Sequence, residues 1–387
     1  MTKSDNNIQK EHIPHIFHVI PSFAHGGVPI RICYLMNHFG TKARHSLFST
    51  DGNYSCAGRL SDNVNCEIIN IGNADQGNMV KRLWNYHKIL QGIKPDLLLT
   101  YNWGSTEWAL AASFTRLYRH IHLESGFGPE ESHGTMAKRD WFRRLALRNI
   151  EAIVVPSRTL VKICRSSWKI PDRKIRYIPN GVDCAKYASA PQKDIIPGFI
   201  KDKNDLVIGT MTPLRPEKNL PRLITAFRDI VRHFQTERPE QKCKLIIMGE
   251  GRERPKLEAM VAEYDLKDNI YLAGHIDDPA RALGLLDIYA ISSDTEQMPN
   301  SLNQAMAAGL PVVGLDVGDV KFMMAERNKP FITPSGDDHA FTMAMIELSK
   351  DKALRETLTD INKKHVKENF DQQFMYDKYA AIWGIDR

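Results

Sequence analysis

Twice along this chain, short apolar runs alternate with stretches of helical periodicity, and that alternation most constrains what the chain can fold into. In the first series the runs fall at 16–20, 46–49, 67–71, 97–100, 121–123 and 152–155. Helical patterns lie between them, as at 29–39, 79–90 and 106–117. In the second series the runs fall at 206–210, 244–248, 270–273, 288–292, 312–315 and, more weakly, 331–333. The helices there are expected at 221–233, 254–264 and 299–308. Short apolar strands separated by helices predict a parallel, doubly wound α/β sheet, here formed twice.

Two such series in 387 residues imply two domains. The divisions expected are a polar, disordered leader at 1–12, a Rossmann-like domain at 13–188, a Pro-containing linker at 189–198 and a second Rossmann-like domain at 199–368. The run Tyr177-Ile178-Pro179-Asn180-Gly181-Val182-Asp183 breaks structure at the close of the first half. A last helix, 372–383, follows the completed second sheet, so segment 369–387 is expected to pack back on the first domain. Open α/β sheets bind ligands at the carboxyl ends of their strands, which places a site in the cleft between the halves.

Composition narrows the function classes. With 42% hydrophobic and 25% charged residues the chain is globular, and no apolar run is long enough to span a bilayer. The first eleven residues lack the apolar stretch of a secretory signal. Six scattered cysteines without a C-x-x-C pair argue against a zinc site or a disulfide framework, and fit a reducing cytoplasm. Net charge is +6, but between Lys138 and Arg176 twelve Lys/Arg face only Asp140, Glu151 and Asp172.

The segment from Ser292 to Val313 reads as a strand end, a polar loop, a helix start and a second strand. Pro299 suits a first helical turn and Gly309 a stop. Backbone N–H groups around Met298, Pro299, Asn300 and Ser301 would line the loop's mouth, where a helix N-terminus favours phosphate. Glu296 sits just outside, and Gln304 lies about one and a half turns into the helix. This segment resembles the donor-site motif of glycosyltransferase family 4, the retaining group 1 enzymes of GT-B fold. The resemblance implies that Glu296 holds donor-sugar hydroxyls. The family's second acid is Gln304 here, an amide that can still hydrogen-bond a ribose. A second segment, Gly209 to Asn219, resembles the family's diphosphate loop. There Lys218 matches the expected lysine, the usual arginine position is Pro213, and Arg215 lies two residues later. The resemblance implies that Lys218 and Arg215 stabilise the departing diphosphate, the main electrostatic demand of glycosyl transfer. Gly249 and Gly251 occupy a turn that borders the nucleotide in relatives. Gly274 and His275 follow a strand whose counterpart contacts the base through its backbone.

In the first half, His25-Gly26-Gly27-Val28 is a glycine loop between strand and helix. The family uses it near the donor diphosphate and acceptor, though the residues alone equally read as a tight turn. Asn102, Glu124 and Ser125 end strands expected to line the acceptor side, with Ser125 where many relatives carry a histidine. Between Lys138 and Arg148, Trp141 and Leu145 share a helical face flanked by Arg143, Arg144 and Arg148. That helix suits anionic lipid headgroups, and it also reads as a solvated charged face with a buried apolar edge. No recognition module accompanies the charge, so nucleic acid is not an expected partner.

The implied activity is retaining transfer of a sugar from a nucleotide diphosphate sugar, UDP before GDP, to a hydroxyl of a glycan, glycolipid or small molecule. No D-x-D motif is present, which fits metal-independent chemistry with no cofactor beyond the nucleotide-sugar co-substrate. The expected setting is the cytoplasm, peripheral to the inner membrane surface if the basic helix docks. Two rivals share the architecture: a sugar-nucleotide 2-epimerase, and a degenerate GT-B protein that binds without turnover.

Overall fold

The computed structural model describes residues 12–385 except 116, 128–130 and 132–134. The expected leader, apart from His12, lies outside the described residues. The first sheet contains β1 (His15–Ile20), β2 (Arg44–Ser49), β3 (Asn65–Ile68), β4 (Leu97–Tyr101), β5 (Arg119–Leu123), β6 (Ala152–Val155) and β7 (Ile175–Tyr177). The second contains β8 (Leu206–Met211), β9 (Cys243–Met248), β10 (Ile270–Gly274), β11 (Ile288–Ile291), β12 (Val312–Leu315) and β13 (Ile332–Thr333). The helices of the first half are α1 (Gly27–Phe39), α2 (Met79–Ile93), α3 (Thr106–Ala112), α4 (Ala137–Ala146) and α5 (Arg158–Ser166). After the short α6 (Cys184–Tyr187) come α7 (Leu220–Glu237), α8 (Arg254–Glu263), α9 (Pro279–Leu283), α10 (Asn300–Ala307) and α11 (Val320–Met323). The chain ends with α12 (Asp338–Lys350), α13 (Lys352–Phe370) and α14 (Gln372–Trp383).

The strand orders are β3-β2-β1-β4-β5-β6-β7 and β10-β9-β8-β11-β12-β13, with parallel ladders throughout. Each order reverses direction at its first strand. A crevice therefore opens at the carboxyl ends of β1 and β4, and another at those of β8 and β11. α7 illustrates how the sequence builds the layers. Asn219 caps it, Pro221 starts it without loss of a hydrogen bond, and Leu223, Ile224, Phe227, Ile230, Val231 and Phe234 bury one stripe against the sheet.

Several elements differ from the sequence expectation. The helix expected over 106–117 stops at Ala112, where the Ser113 hydroxyl bonds back to the Leu110 carbonyl at 2.7 Å. The third strand leaves the ladder after Ile68, and Ile69 and Ile71 turn into the core. The short edge strand β7 and helices α12 and α13 join the expected elements. The division between domains also falls earlier than residue 188. Ile178 belongs to the first core, whereas Val182, Tyr187, Ile196 and Phe199 belong to the second, so the expected linker is part of the second core. The chain crosses at Asn180–Gly181 and returns beside itself. The Val182 N–H donates to Phe370 O (2.9 Å) and the Gln372 N–H to Val182 O (3.0 Å). A Cβ on Gly181 would lie 2.6 Å from the Gln372 Cα, so this close crossing requires glycine there. α14 then packs Met375, Tyr376, Tyr379 and Trp383 into the first core.

Histidines are unusually frequent in that core. His18 pairs with Tyr101 and His45, and Thr100 bridges His120 and His122. Burial drives His45 down to about 4 and His120 to about 3, so these rings are neutral packing groups at neutral pH.

Candidate active site

β8 and β11 are neighbours (Ile208 beside Ile288), so the loops that follow them emerge side by side. The first loop ends in a tight turn at Pro216–Lys218, with Asn219 in the left-handed region at φ 40°. The loops are then stitched together. Asp294 N–H donates to Glu217 O (2.9 Å), Ser292 Oγ to Lys218 O (2.9 Å), and Arg222 binds both Ser292 O and Asp294. This framework sets Lys218 Nζ 2.6 Å from Glu296 Oε1, and Ser293 Oγ donates to the same oxygen at 2.7 Å. Both charged side chains are mostly buried, at 17% and 10% exposure. The two residues that the sequence singles out for donor chemistry thus meet directly.

Arg215 does not join them. Its side chain is 60% exposed and its ion-pair contact is Glu217 at 3.9 Å. His275 is likewise solvent-facing, 3.5 Å from Asp277. Gly249 and Gly251 have a packing role. Cβ atoms there would fall 2.0 Å from Thr212 O and 2.3 Å from Leu214 O, so the turn after β9 lies flat on the lysine-bearing loop. Gly274, at φ 74°, completes that wall by accepting from Gly249 N–H at 2.7 Å.

Across the cleft, Gly26 and Gly27 open α1. A Cβ on Gly27 would lie 3.2 Å from Asn300 Nδ2, at the start of α10. Two helix N-termini therefore face each other, and neither N-cap, Gly26 nor Pro299, supplies a side-chain cap. Pro299 is the residue before the helix, extended at ψ 120°, rather than part of its first turn. Paired N-terminal dipoles with uncapped N–H groups suit an anion. Met298 serves the crossing instead of the mouth: its sulfur accepts from Asn180 N–H and its carbonyl from Asn180 Nδ2 (3.1 Å). Ser301 lies beside the Tyr289 hydroxyl, and Gln304 beside that of Tyr187 in α6.

The acceptor-side residues separate into two groups. The Asn102 Oδ1 accepts from Ser125 N–H (2.9 Å), and Ser125 Oγ accepts from Arg31 Nη2 (2.7 Å). Arg31 also donates to Asn180, whose carbonyl accepts from Asn303 of α10 (2.8 Å). A continuous chain of hydrogen bonds thus runs from β4 through α1 to the second domain. Glu124 is not on the cleft. It is fully buried, 3.8 Å from both His122 Nε2 and Arg143 Nε, because α4 closes over the end of β5. The basic helix also differs from expectation. Arg143 points inward onto Glu131, Arg139 contacts Glu131, and Arg144 donates to Ser167 O, while Trp141 stays 62% exposed.

Sequence reading passed over Arg31. Arg31 had one available signal, a lone cation inside the apolar run of α1. Asp319 links the domains. Its carboxylate accepts from Arg158 N–H (2.6 Å), Thr159 N–H (3.0 Å) and Thr159 Oγ1 (2.8 Å) at the start of α5. The adjoining turn lies on the glutamate loop, where Asp319 N–H donates to Gln297 O (3.0 Å). A carboxylate at a helix N-terminus makes charge-assisted bonds of about 1.5–3 kcal/mol. Asp319→Ala is therefore expected to open the cleft and raise the donor KM by about tenfold, with Asp319→Asn intermediate. An unchanged X-ray scattering profile together with an unchanged KM would sink that expectation.

Comparison with known proteins covers both halves. The family described as Glycosyl transferases group 1 matches residues 191–365, and Glycosyltransferase Family 4 matches residues 25–186. N-acetyl-alpha-D-glucosaminyl L-malate synthase of Bacillus anthracis is 21% identical over 62% of the chain; the match spans about six tenths (61%) of that relative's length. UDP-Gal:alpha-D-GlcNAc-diphosphoundecaprenol alpha-1,3-galactosyltransferase of Escherichia coli is 24% identical over 71% of the chain and 72% of its own length. Among solved structures, Anabaena HepE in complex with UDP superposes with a TM-score of 0.76 at 17% identity, over 96% of this chain and 99% of that one. Sucrose-phosphate synthase from Thermosynechococcus elongatus gives 0.77 at 17% identity, over 95% and 98%. With the cleft flanked by two parallel sheets and both halves matched, this chain belongs to the group 1 glycosyltransferases of glycosyltransferase family 4, with the GT-B fold.

Proposed function

We propose that the chain transfers a sugar, with retention, from a UDP-sugar to a hydroxyl of a glycan or glycolipid. The observation that carries this reading is the meeting of the uncapped α1 and α10 starts beside the buried Lys218–Glu296 pair. Lys218 and the two helix dipoles compensate the charge that grows on the diphosphate as the C1–O bond breaks. Glu296 turns from the lysine to accept hydrogen bonds from donor-sugar hydroxyls. The acceptor oxygen bonds to C1 on the face the diphosphate leaves, and its proton passes to a departing phosphate oxygen. This route needs no separate protein base. The preference for UDP draws support from the E. coli relative's UDP-Gal and from the UDP bound to HepE. Exposed Lys138, Trp141 and Arg148 on and beside α4 support a peripheral contact with anionic headgroups, in which Arg143 takes no part.

A nucleotide screen tests the reading. UDP is expected to raise the unfolding temperature more than GDP or ADP, since a ligand that binds only the folded state stabilises it. Purified protein is expected to release UDP from a UDP-sugar in an acceptor-dependent manner, and the anomeric proton coupling of the product reports retention. No shift with any nucleotide and no release over a broad donor panel would overturn the assignment.

A further inference from the structure

Arg31 carries a buried charge that the Lys218–Glu296 pair leaves unexplained. It is 7% exposed, and among the described residues its guanidinium meets neutral groups only. Nη1 donates to Asn180 Oδ1 and Nη2 to Ser125 Oγ (2.7 Å), while Nε has no hydrogen-bond partner. Tyr101 and Tyr379 lie within its field, but burial keeps both hydroxyls protonated, so neither supplies a counter-charge. A buried cation without a counter-ion is costly, and an arriving anion removes that cost.

The helix sets its direction. Arg31 follows Gly27 by four residues, so both lie on the face of α1 that meets Asn300 at the start of α10. Helical side chains lean toward the helix N-terminus, which carries the guanidinium back beneath the Gly26–Gly27 opening. Ser125 then passes the charge on. Its backbone N–H is held by Asn102 Oδ1 (2.9 Å), and a Cβ on the next residue, Gly126, would lie 3.2 Å from Gln297 Cγ. The part-exposed serine therefore stands against the loop that carries Glu296. Because Oγ accepts from the guanidinium, its own proton points elsewhere, and no acceptor among the described residues takes it. A hydroxyl that accepts from a cation is polarised into a stronger donor. At rest Lys218 is neutralised by Glu296, and Arg215 faces solvent. Of these three cations, Arg31 alone is turned inward without a counter-charge.

We propose that Ser125 Oγ–H donates to a phosphate oxygen of the donor diphosphate, with Arg31 as the positioning residue that orients and polarises it. The inference rests on the transferase reading and extends diphosphate recognition to the first lobe, so the leaving group is held from both sides of the cleft. Ligand-observed NMR, which registers weak binding, tests it on the full chain with UDP and uridine, and with GDP and guanosine as a second pair. Ser125→Ala and Arg31→Gln are each expected to weaken UDP about tenfold, the loss of a hydrogen bond to a charged group, and to leave uridine within about twofold. Arg31→Lys keeps the charge and should recover part of the loss. Because Arg31 acts through the serine, the double variant should bind UDP about as the weaker single variant does, and full additivity would overturn that relay. The inference also fails if UDP binds both single variants as it binds the parent, or if UDP and uridine weaken in step, the mark of a purely structural role. Ser125→Ala removes one part-exposed hydroxyl, so it decides the matter should Arg31→Gln fold poorly. UDP affinity unchanged in the variants would leave the donor reading standing, whereas a parent that binds neither UDP nor GDP overturns both.

Discussion

Lys218→Ala is expected to lower kcat on a UDP-sugar by about 10²–10³-fold, the range seen when one preorganised charge-stabilising donor is removed. The ammonium lies on Glu296 at 2.6 Å in the resting site and is held there by the stitched loops after β8 and β11. Its position therefore needs little reorganisation when the diphosphate arrives. Because the leaving diphosphate carries more negative charge than the intact donor, kcat and kcat/KM should fall together. Affinity for the product UDP should fall as well. Lys218→Arg keeps the charge but not the compact head, and should recover only part of the rate. Steady-state kinetics with calorimetric UDP titration checks all three. A Lys218→Ala enzyme within about threefold of the parent would remove lysine from the mechanism.

Arg143→Ala is expected to cost about 3–5 kcal/mol of stability, the penalty for leaving buried charges unpaired. Its guanidinium makes paired bonds to Glu131 (3.0 and 2.8 Å) and lies 3.8 Å from Asp140 and from the fully buried Glu124. The rings of Trp103, Phe127 and Trp168 surround it at 4.9, 5.5 and 4.8 Å. Removing it strips Glu124 and Glu131 of their nearest guanidinium and empties the centre of an aromatic cage. The unfolding midpoint should drop by roughly 10 °C. The effect carries a pH signature. Burial alone would raise the Glu131 carboxyl, but hydrogen bonds from Arg143, the Met136 N–H and Arg139 hold it down at about 2, against an ordinary 4.5. A depressed carboxylate contributes stability that is complete above about 4.5 and is lost as pH falls toward 2. The parent should therefore lose part of its stability in that window, and Arg143→Ala should show much less of the slope. Equal midpoints at neutral pH for the two proteins would refute this account of the cluster.

The two-sheet plan was legible in the sequence because strands buried on both faces must be apolar throughout. Lys218 and Glu296 were legible through the family resemblance of the loops that carry them, and the structure adds that the strands before those loops are neighbours. What escaped was decided by tertiary packing. The alternation of β5 correctly puts His122 and Glu124 on one side, but only α4 determines that this side is sealed from the cleft. Gly249 and Gly251 resemble a turn that borders the nucleotide in relatives, and in the structure the carbonyls of Thr212 and Leu214 are what forbid a side chain there. Asp319 and Arg143 are charges in a chain with many exposed charges, and nothing local marks them as the inward ones. Arg215 shows the converse, since its place in a motif-like loop did not bring it to the pair.

The double crossing at Val182 and Asp371 limits how this architecture can be recombined. The second lobe is an insertion between the body of the first lobe and its own last helix, whose Trp383 sits against His18, Phe39 and His45. A chimera that exchanges everything after the first crossing replaces that helix with one shaped for another core. The second lobe is therefore exchangeable between relatives only as a cassette with two seams, one near Gly181 and one near Asp371, leaving α14 with its native partner.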